Sequence, residues 1–416
     1  MQRVAVIGAS LAGLHAVQAL RRGDYDGHIV LVGAEPHYPY DRPPLSKSVL
    51  TDDSVDESRL RLRPAADPDA LGVEWRLGST AVGVDSLPTG DGPARIRLDD
   101  GRGKRGPVVE ADGLIIATGA RARPLPSSEG IAGVHLLRTL DDALALRAAL
   151  ISEPGPVVVI GCGFIGAEVA ASARTRGLDV TIVEAAPAPL LRVLDEAAGM
   201  AIADLHREHG AAVHLGVGVE EITTAETATG PSVEAVRLTD GTSLPAAVVV
   251  VGIGVIPNTE WLESSGLVID DGVVTDETCL AAPGVVAVGD VARWPNRRFG
   301  GRLSRVEQWD NAVEMGSYGG SRLLAWATGR PVEPFEPVPW FWSDQYDRKI
   351  QLAGVPAPNA EIVQGSIAER RFVQLYTDDD DLVTGALCWN RPRQAIMARQ
   401  LIGQGAKTSE IRDALS

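Results

Sequence analysis

An α/β fold with two strand–loop–helix repeats and a smaller α+β domain at its end is what this chain of 416 residues predicts. Two apolar runs carry the repeats. Arg3-Val4-Ala5-Val6-Ile7 ends in Gly8-Ala9-Ser10-Leu11-Ala12-Gly13, and Pro156-Val157-Val158-Val159-Ile160 ends in Gly161-Cys162-Gly163-Phe164-Ile165-Gly166. The third observation is a shift to proline and tryptophan from about Arg330 (Pro331, Pro334, Pro337, Pro339, Trp340, Trp342), which marks the last domain.

The first run reads as a strand, Gly8 as the tight turn after it, and the residues beyond as a helix. The β-branched run His28-Ile29-Val30-Leu31-Val32 follows and leads to Glu35. In such a unit the first glycine permits the turn, the second lets the backbone approach a pyrophosphate, and the third allows close helix–strand packing. The pyrophosphate sits at the helix N-terminus, where free N–H groups and the helix dipole favour negative charge. The acid further on accepts hydrogen bonds from an adenosine ribose. Ser10 stands at the middle glycine position, which makes the first loop the less specific of the two.

Short strands such as Ala94-Arg95-Ile96-Arg97-Leu98 come next, closing on Leu114-Ile115-Ile116-Ala117-Thr118-Gly119-Ala120. After the crossing from Arg121 to Pro126, a helical stretch from Thr139 to Leu150 leads into the second unit. Its helix is expected over Ile165 to Arg176, with Gly177 as C-cap. Asp179-Val180-Thr181-Ile182-Val183 then leads to Glu184. One unit of this kind binds one dinucleotide, so two imply a pair held together for electron transfer. Gly284-Val285-Val286-Ala287-Val288-Gly289-Asp290 reads as a return to the first domain, which makes the second unit an insertion. The expected boundaries are 1–121 and 249–324 for the first dinucleotide domain and 122–248 for the second. Residues 325–416 form the α+β domain, with alternating segments such as Arg371-Phe372-Val373-Gln374-Leu375-Tyr376 and helical sequence from Arg393.

Composition narrows the class. A net charge of −16 opposes general nucleic-acid binding, which needs a positive field. The longest apolar stretch, around Ala246 to Ile256, is about half a membrane span. With Val4 to Ile7 already a strand, no signal peptide fits before the first loop, so no membrane and a cytoplasmic location are expected. Cys162, Cys279 and Cys388 lie far apart without a C-x-x-C pair, so neither a metal site nor an iron–sulfur cluster of the chain's own is expected. Val291 to Val306 holds Arg293, Arg297, Arg298, Arg302 and Arg305 and no acid, either a solvated loop or a docking patch for an acidic partner.

Two further strings, Pro39-Tyr40-Asp41-Arg42-Pro43-Pro44-Leu45-Ser46-Lys47 and Trp340-Phe341-Trp342-Ser343-Asp344-Gln345-Tyr346, are not expected from generic α/β composition. With them, the whole chain resembles the two-dinucleotide flavoprotein reductases of glutathione-reductase-like fold, with two Rossmann-like domains. Among these it is most similar to the NADH:ferredoxin reductases of bacterial oxygenase systems. The resemblance implies FAD in the first unit, NAD in the second and a C-terminal interface domain. It implies that Gly8, Ala12 and Gly13 hold the FAD pyrophosphate, with Glu35 at its ribose. Arg42 and Lys47 would lie along the cofactor, Lys47 reaching the isoalloxazine ring. Val82 and Thr118 would line the adenine and pyrophosphate side, Arg138 would anchor it, and Asp290 would bind the ribityl chain. Glu307, Gln308 and Trp309 would pack near the ring edges. On the NAD side the implied residues are Gly161, Gly163, Phe164, Ile165, Gly166, Glu184 and Gly254.

Hydride transfer needs donor and acceptor atoms roughly 3–3.5 Å apart, and a cation near the ring stabilises the reduced flavin. Lys47 and Glu168 are the expected catalytic pair, with Glu168 as the ion-pair partner and the pair gating cofactor access. Phe164 is either an aromatic flap over the nicotinamide or a core residue. Glu184 points to NADH over NADPH, because a 2′-phosphate site wants arginine there. Pro43 to Leu50, the segment that carries redox cysteines in disulfide reductases of this fold, has none here. Electrons therefore leave the flavin directly, to a small acidic [2Fe–2S] ferredoxin steered by Arg297, Arg298, Arg302 and Arg305. The alternatives left open are a rubredoxin reductase and a redox-sensing flavoprotein similar to apoptosis-inducing factor.

Overall fold

The computed structural model describes residues 1–63, 67–88, 92–99, 106–126, 128–153, 155–228 and 230–415. The chain divides into two compact units, each assembled from separate stretches.

The first unit is Met1–Asp41, Glu57–Arg121 and Ile256–Trp340. Its six-stranded sheet runs in the order Leu280–Ala282, Val285–Ala287, Gly113–Ile116, Arg3–Ile7, His28–Val32, Glu74–Arg76. All pairings are parallel except that of the first two strands. Val4, Ala5 and Val6 are wholly buried, as a parallel strand covered on both faces requires, which is why the run is apolar without alternation. Val285–Ala287 pairs with Gly113–Ile116, so the chain comes back to this sheet after passing through the second unit. The helix Leu11–Arg22 lies against the long helix Trp309–Thr328 almost backbone to backbone. A Cβ on Gly316 would stand 2.4 Å from Ala12 O, and one on Gly320 2.4 Å from Ala16 O. That contact fixes the start of the long helix relative to the first glycine loop. A smaller antiparallel sheet, Thr80–Ser86, Ala94–Asp99 and Val108–Ala111, completes the unit.

The second unit is Arg42–Asp56, Ala122–Val255 and Phe341–Ser416. Its parallel sheet runs Ala212–Leu215, Val180–Glu184, Val157–Ile160, Val248–Val251, Val134–His135. The helix Leu140–Ser152 starts with a full capping box. Thr139 Oγ1 accepts from Asp142 N at 3.1 Å, and Asp142 Oδ2 accepts from Thr139 N at 2.8 Å. The C-terminal sheet, in the order Trp340–Gln345, Arg348–Gly354, Val383–Trp389, Arg371–Thr377, Asn359–Ser366, is backed by helices Pro392–Gly403 and Thr408–Leu415. Phe341, Ile350, Phe372 and Trp389 of that sheet share one core with Ala198, Ile202 and Leu205 of the helix Glu196–Glu208.

These units depart from the boundaries expected from sequence at residues 42–56, 249–255 and 325–340, and residues 341–416 group with the second dinucleotide domain. Residues 42–56 belong with the second unit. Leu45, Val49 and Leu50 are buried there, Ser172 Oγ donates to Ser46 O at 2.7 Å, and Arg147 Nη1 donates to Val55 O at 2.9 Å. Residues 325–340 stay with the first unit, where Phe335 joins the core and Trp294 Nε1 donates to its carbonyl at 3.1 Å.

Candidate cofactor and active site

The two glycine loops have the same construction. Gly8 (φ +121°) and Gly161 (φ +95°) adopt the left-handed backbone that glycine alone takes without strain. A Cβ would stand 2.0 Å from Ala117 O at Gly8 and 2.4 Å from Gly252 O at Gly161. At Gly13 and Gly166 it would stand 2.0 Å from the carbonyl oxygen of the loop's own first glycine. Gly163 has open space instead, its nearest neighbour being 3.9 Å away. The following helices open on Ser10 and Gly163, neither of which caps them with its side chain. Their leading N–H groups therefore suit a diphosphate. Both loops fit a dinucleotide.

The acids beyond the loops differ. Glu184 turns back to its loop, Oε2 accepting from Cys162 N at 2.7 Å and Oε1 from Ala186 N at 2.9 Å. Each oxygen keeps a lone pair for a ribose hydroxyl. Glu35 instead accepts a short hydrogen bond from Tyr40 OH. Phe164 is half-buried with its ring centroid 4.2 Å from that of Phe341, which makes it a core contact. Ile165 is exposed, as is Gly254 (φ +105°), whose carbonyl accepts from Arg123 N.

Lys47 and Glu168 meet within the second unit. Lys47 Nζ lies 2.6 Å from Glu168 Oε2, and the carboxylate is only 3% exposed. Two serines share it: Ser46 Oγ donates to Oε2 at 2.5 Å and Ser343 Oγ to Oε1 at 2.7 Å. Sequence reasoning named neither serine, although both lie in the two strings that carried the resemblance. In the same unit Arg42 Nη1 donates to Arg138 O at 2.6 Å.

In the first unit, Thr118 and Asn258 clip two segments together. Thr118 Oγ1 donates to Asn258 O at 2.8 Å, and Asn258 Nδ2 donates to Thr118 O at 2.9 Å. Asn258 is a further residue the sequence did not single out. Val82 is exposed at a register shift between Ala81 and Gly83. Asp290 sits in the turn Gly289–Val291, and a Cβ on Gly289 would come 2.9 Å from Ala12 Cβ. Trp309 Nε1 donates to Asp41 Oδ1 at 2.7 Å. Glu307 pairs with Arg305 at 2.5 Å. Gln308 Oε1 is buried without a hydrogen-bond partner. An orphaned acceptor at the start of a helix packed against the first loop's helix fits a flavin, whose pyrimidine edge carries an N–H.

The arginine run does not form the unbalanced patch that its sequence suggests. Arg293 pairs with Asp270, Arg297 with Glu277, and Arg305, only 9% exposed, with Asp271 and Glu307. Arg298 Nε donates to Glu336 O. Arg302 alone of the run is exposed with no partner among the described residues. Three of the neutralising acids, Asp270, Asp271 and Glu277, come from upstream in sequence and fold alongside, and Glu307 lies just beyond the run.

All three cysteines are buried. Burial pushes the Cys162 and Cys388 thiols up to about 12, and Cys279 well above its usual range. None is a thiolate nucleophile near neutral pH. Among the described residues no cluster of His, Cys, Asp or Glu is arranged to hold a metal, and no helix is long and apolar enough to cross a membrane.

Residues 2–316 match the pyridine nucleotide-disulphide oxidoreductase family, and residues 340–414 match the reductase C-terminal family. Rhodocoxin reductase of Rhodococcus erythropolis is 38% identical over 96% of this chain and 89% of its own length. Putidaredoxin reductase of Pseudomonas putida is 36% identical over 96% and 91%. The crystal structure of the covalent putidaredoxin reductase–putidaredoxin complex superposes with a TM-score of 0.87 at 32% identity, over 99% of this chain and 95% of that one. The ferredoxin reductase for the CYP199A2 system from Rhodopseudomonas palustris gives 0.88 at 34% identity, over the full length of both. With two loops of one design, no redox cysteine beside them and relatives matched over almost their whole length, this chain belongs to the pyridine nucleotide-disulphide oxidoreductase family, in the branch that ends in a reductase C-terminal domain.

Proposed function

We propose that the protein is an NADH:ferredoxin reductase, taking a hydride from NADH and delivering electrons singly to a [2Fe–2S] ferredoxin that feeds a monooxygenase or dioxygenase. The observation that carries this reading is the pair of equivalent glycine loops in a chain whose thiols are all buried. Bound FAD supplies the conversion of a two-electron donor into two one-electron deliveries. The relatives' names, and a relative caught in covalent complex with putidaredoxin, support a small redox protein as acceptor.

The chain's own residues bind, orient and tune. In the first unit Gly8, Ala12 and Gly13 admit the FAD diphosphate, Glu35 takes its ribose, and Val82 and Thr118 line its adenine side. Asp290 takes the ribityl chain, and Glu307, Gln308 and Trp309 border the ring. In the second unit Gly161, Gly163, Ile165 and Gly166 admit the NADH diphosphate, while Phe164 and Gly254 border its path. Arg42 and Arg138 bind cofactor phosphate through their charge. Glu184 takes both ribose hydroxyls and repels a 2′-phosphate, which sets the preference for NADH. Lys47 is held by Glu168, and arrival of the nicotinamide changes that pair and so gates access. Of the arginines offered to ferredoxin, Arg302 carries the steering charge, and Arg297, Arg298 and Arg305 mainly shape the surface.

Anaerobic stopped-flow tests the reading. NADH should bleach the flavin, and a [2Fe–2S] ferredoxin should restore its colour rapidly. Restoration by a rubredoxin faster than by any ferredoxin of the panel would return the acceptor to the rubredoxin class.

A further inference from the structure

Pro39, Tyr40 and Asp41 end the first stretch of the first unit, and their backbone is pinned there. Asp41 N donates to Leu60 O at 2.8 Å, Leu62 N donates to Pro39 O at 3.0 Å, and Tyr40 forms an antiparallel bridge with Arg61. Arg61 is fixed in turn. Its Nη2 donates to Glu57 Oε1 at 3.0 Å, and its guanidinium lies 5.1 Å from the centre of the Tyr38 ring. From this short edge two side chains reach two residues of the proposed FAD site. Tyr40 is buried, and its hydroxyl donates to Glu35 Oε2. Asp41 Oδ1 accepts from Trp309 Nε1 at 2.7 Å. Consecutive side chains of an extended segment point to opposite sides, which lets one tripeptide serve both.

Each contact removes freedom that a ligand would otherwise have to remove. A carboxylate has about four acceptor positions. The Tyr40 phenol takes one of them at Glu35 and fixes the plane of the rest, whereas a glutamate without that bond must be frozen by the ligand it binds. An indole has a single N–H and no acceptor. Tying that N–H to Asp41 selects one orientation of the Trp309 ring system. The helix Trp309–Thr328 is already placed by its close backbone contact with the helix Leu11–Arg22 at Gly316 and Gly320. Asp41 therefore sets the indole and not the helix that carries it.

We propose that Tyr40 and Asp41 are positioning residues for FAD, Tyr40 through the carboxylate that takes the adenosine ribose and Asp41 through the indole that borders the ring. The inference rests on the proposed placing of Glu35 and Trp309 along the cofactor. It adds how each is held ready before the cofactor arrives, by neighbours in one pinned segment.

Release of FAD from diluted holoprotein, followed as the rise in flavin fluorescence, gives the first test. Tyr40→Phe fills the same buried space without the hydroxyl. It should release FAD about fivefold faster, which is what freezing one further side chain on binding is worth, expressed in the off-rate. Glu35→Ala should also release FAD faster, and adding Tyr40→Phe to it should change nothing more. Fast release from Glu35→Ala with the parent rate in Tyr40→Phe overturns the role of Tyr40 alone, as does an undiminished effect of Tyr40→Phe beside Glu35→Ala. The parent rate in both overturns the placing of Glu35 as well. Visible circular dichroism of the bound flavin gives the second test. Asp41→Ala should change the flavin bands, Asp41→Asn, which keeps an oxygen acceptor, should restore them, and Tyr40→Phe should leave them at the parent shape. Parent bands in Asp41→Ala with altered bands in Trp309→Phe overturn the role of Asp41 alone, and parent bands in both overturn the placing of Trp309 at the ring.

Discussion

Gly166→Ala and Gly13→Ala, compared side by side, test which loop holds which cofactor. The new Cβ at Gly166 lands 2.0 Å from Gly161 O, and ordinary contact begins at 3.4 Å. The helix Phe164–Thr175 must therefore draw back from its loop by about 1.4 Å. Overpacking of this size costs about 1–3 kcal/mol. The amides that cradle the diphosphate ride on the same turn, so the bound state carries most of that cost. At about 1.4 kcal/mol per factor of ten, the NAD⁺ dissociation constant should rise about 5- to 150-fold. Gly13→Ala is the geometric twin, its Cβ landing 2.0 Å from Gly8 O. Calorimetric titration with NAD⁺, together with flavin absorbance per protein after desalting, reads both effects. Gly166→Ala should retain FAD and lose NAD⁺ affinity, while Gly13→Ala should emerge depleted of FAD. The opposite pattern would refute the assignment, and equal loss of both cofactors in each variant would refute the idea that the loops are separate cradles.

Glu184→Ala should raise the efficiency with NADPH relative to NADH by about tenfold or more, read as the ratio of kcat/KM values, because it removes a carboxylate that repels a 2′-phosphate. Thiol titration should find no fast-reacting cysteine in the native protein and three after denaturation, given three buried thiols with raised pKa values. Arg302→Glu should slow ferredoxin reduction severalfold at low salt, with the difference shrinking as salt rises and the NADH step unchanged. His206 has a folded pKa of about 4 against 6.5 unfolded, so the unfolded chain takes up a proton that the native state refuses. Stability should therefore fall by about 3 kcal/mol as pH drops from about 6.5 to 4 and level off below, and His206→Gln should flatten that slope in denaturant melts across pH.

What the sequence revealed follows what is local. Arg3–Ile7, His28–Val32 and Val157–Ile160 were legible because a strand buried on both faces must be continuously apolar. The helix Phe164–Thr175 begins and ends one residue from its expected bounds, since a glycine loop and Gly177 punctuate it. Grouping was less legible. Residues 42–56 follow the first dinucleotide unit in sequence, yet Leu45, Val49 and Leu50 bury themselves in the second. The acids that pair with most of the arginine run were not legible for the same reason. Asp270, Asp271 and Glu277 lie well upstream, so a window along the chain sees only the cations.

The site shows the same limit and adds a physical lesson. Glu168 was expected opposite Lys47 as its ion-pair partner, but nothing in the sequence says that its carboxylate is buried or shared by two serines. Burying such a pair costs desolvation that its mutual attraction barely returns, and apolar residues of equal volume often give a more stable protein. The charge pair is therefore poorly explained as a stabilising device, and its three donors read better as means of holding one carboxylate in one orientation. Cys162 is the converse case. It stands in the loop at a helix N-terminus, where the dipole would ordinarily favour a thiolate. Complete burial and the neighbouring Glu184 carboxylate raise its pKa to about 12 instead. The fold thus quiets the one thiol beside its second cradle, as expected where bound cofactors rather than cysteines carry the electrons.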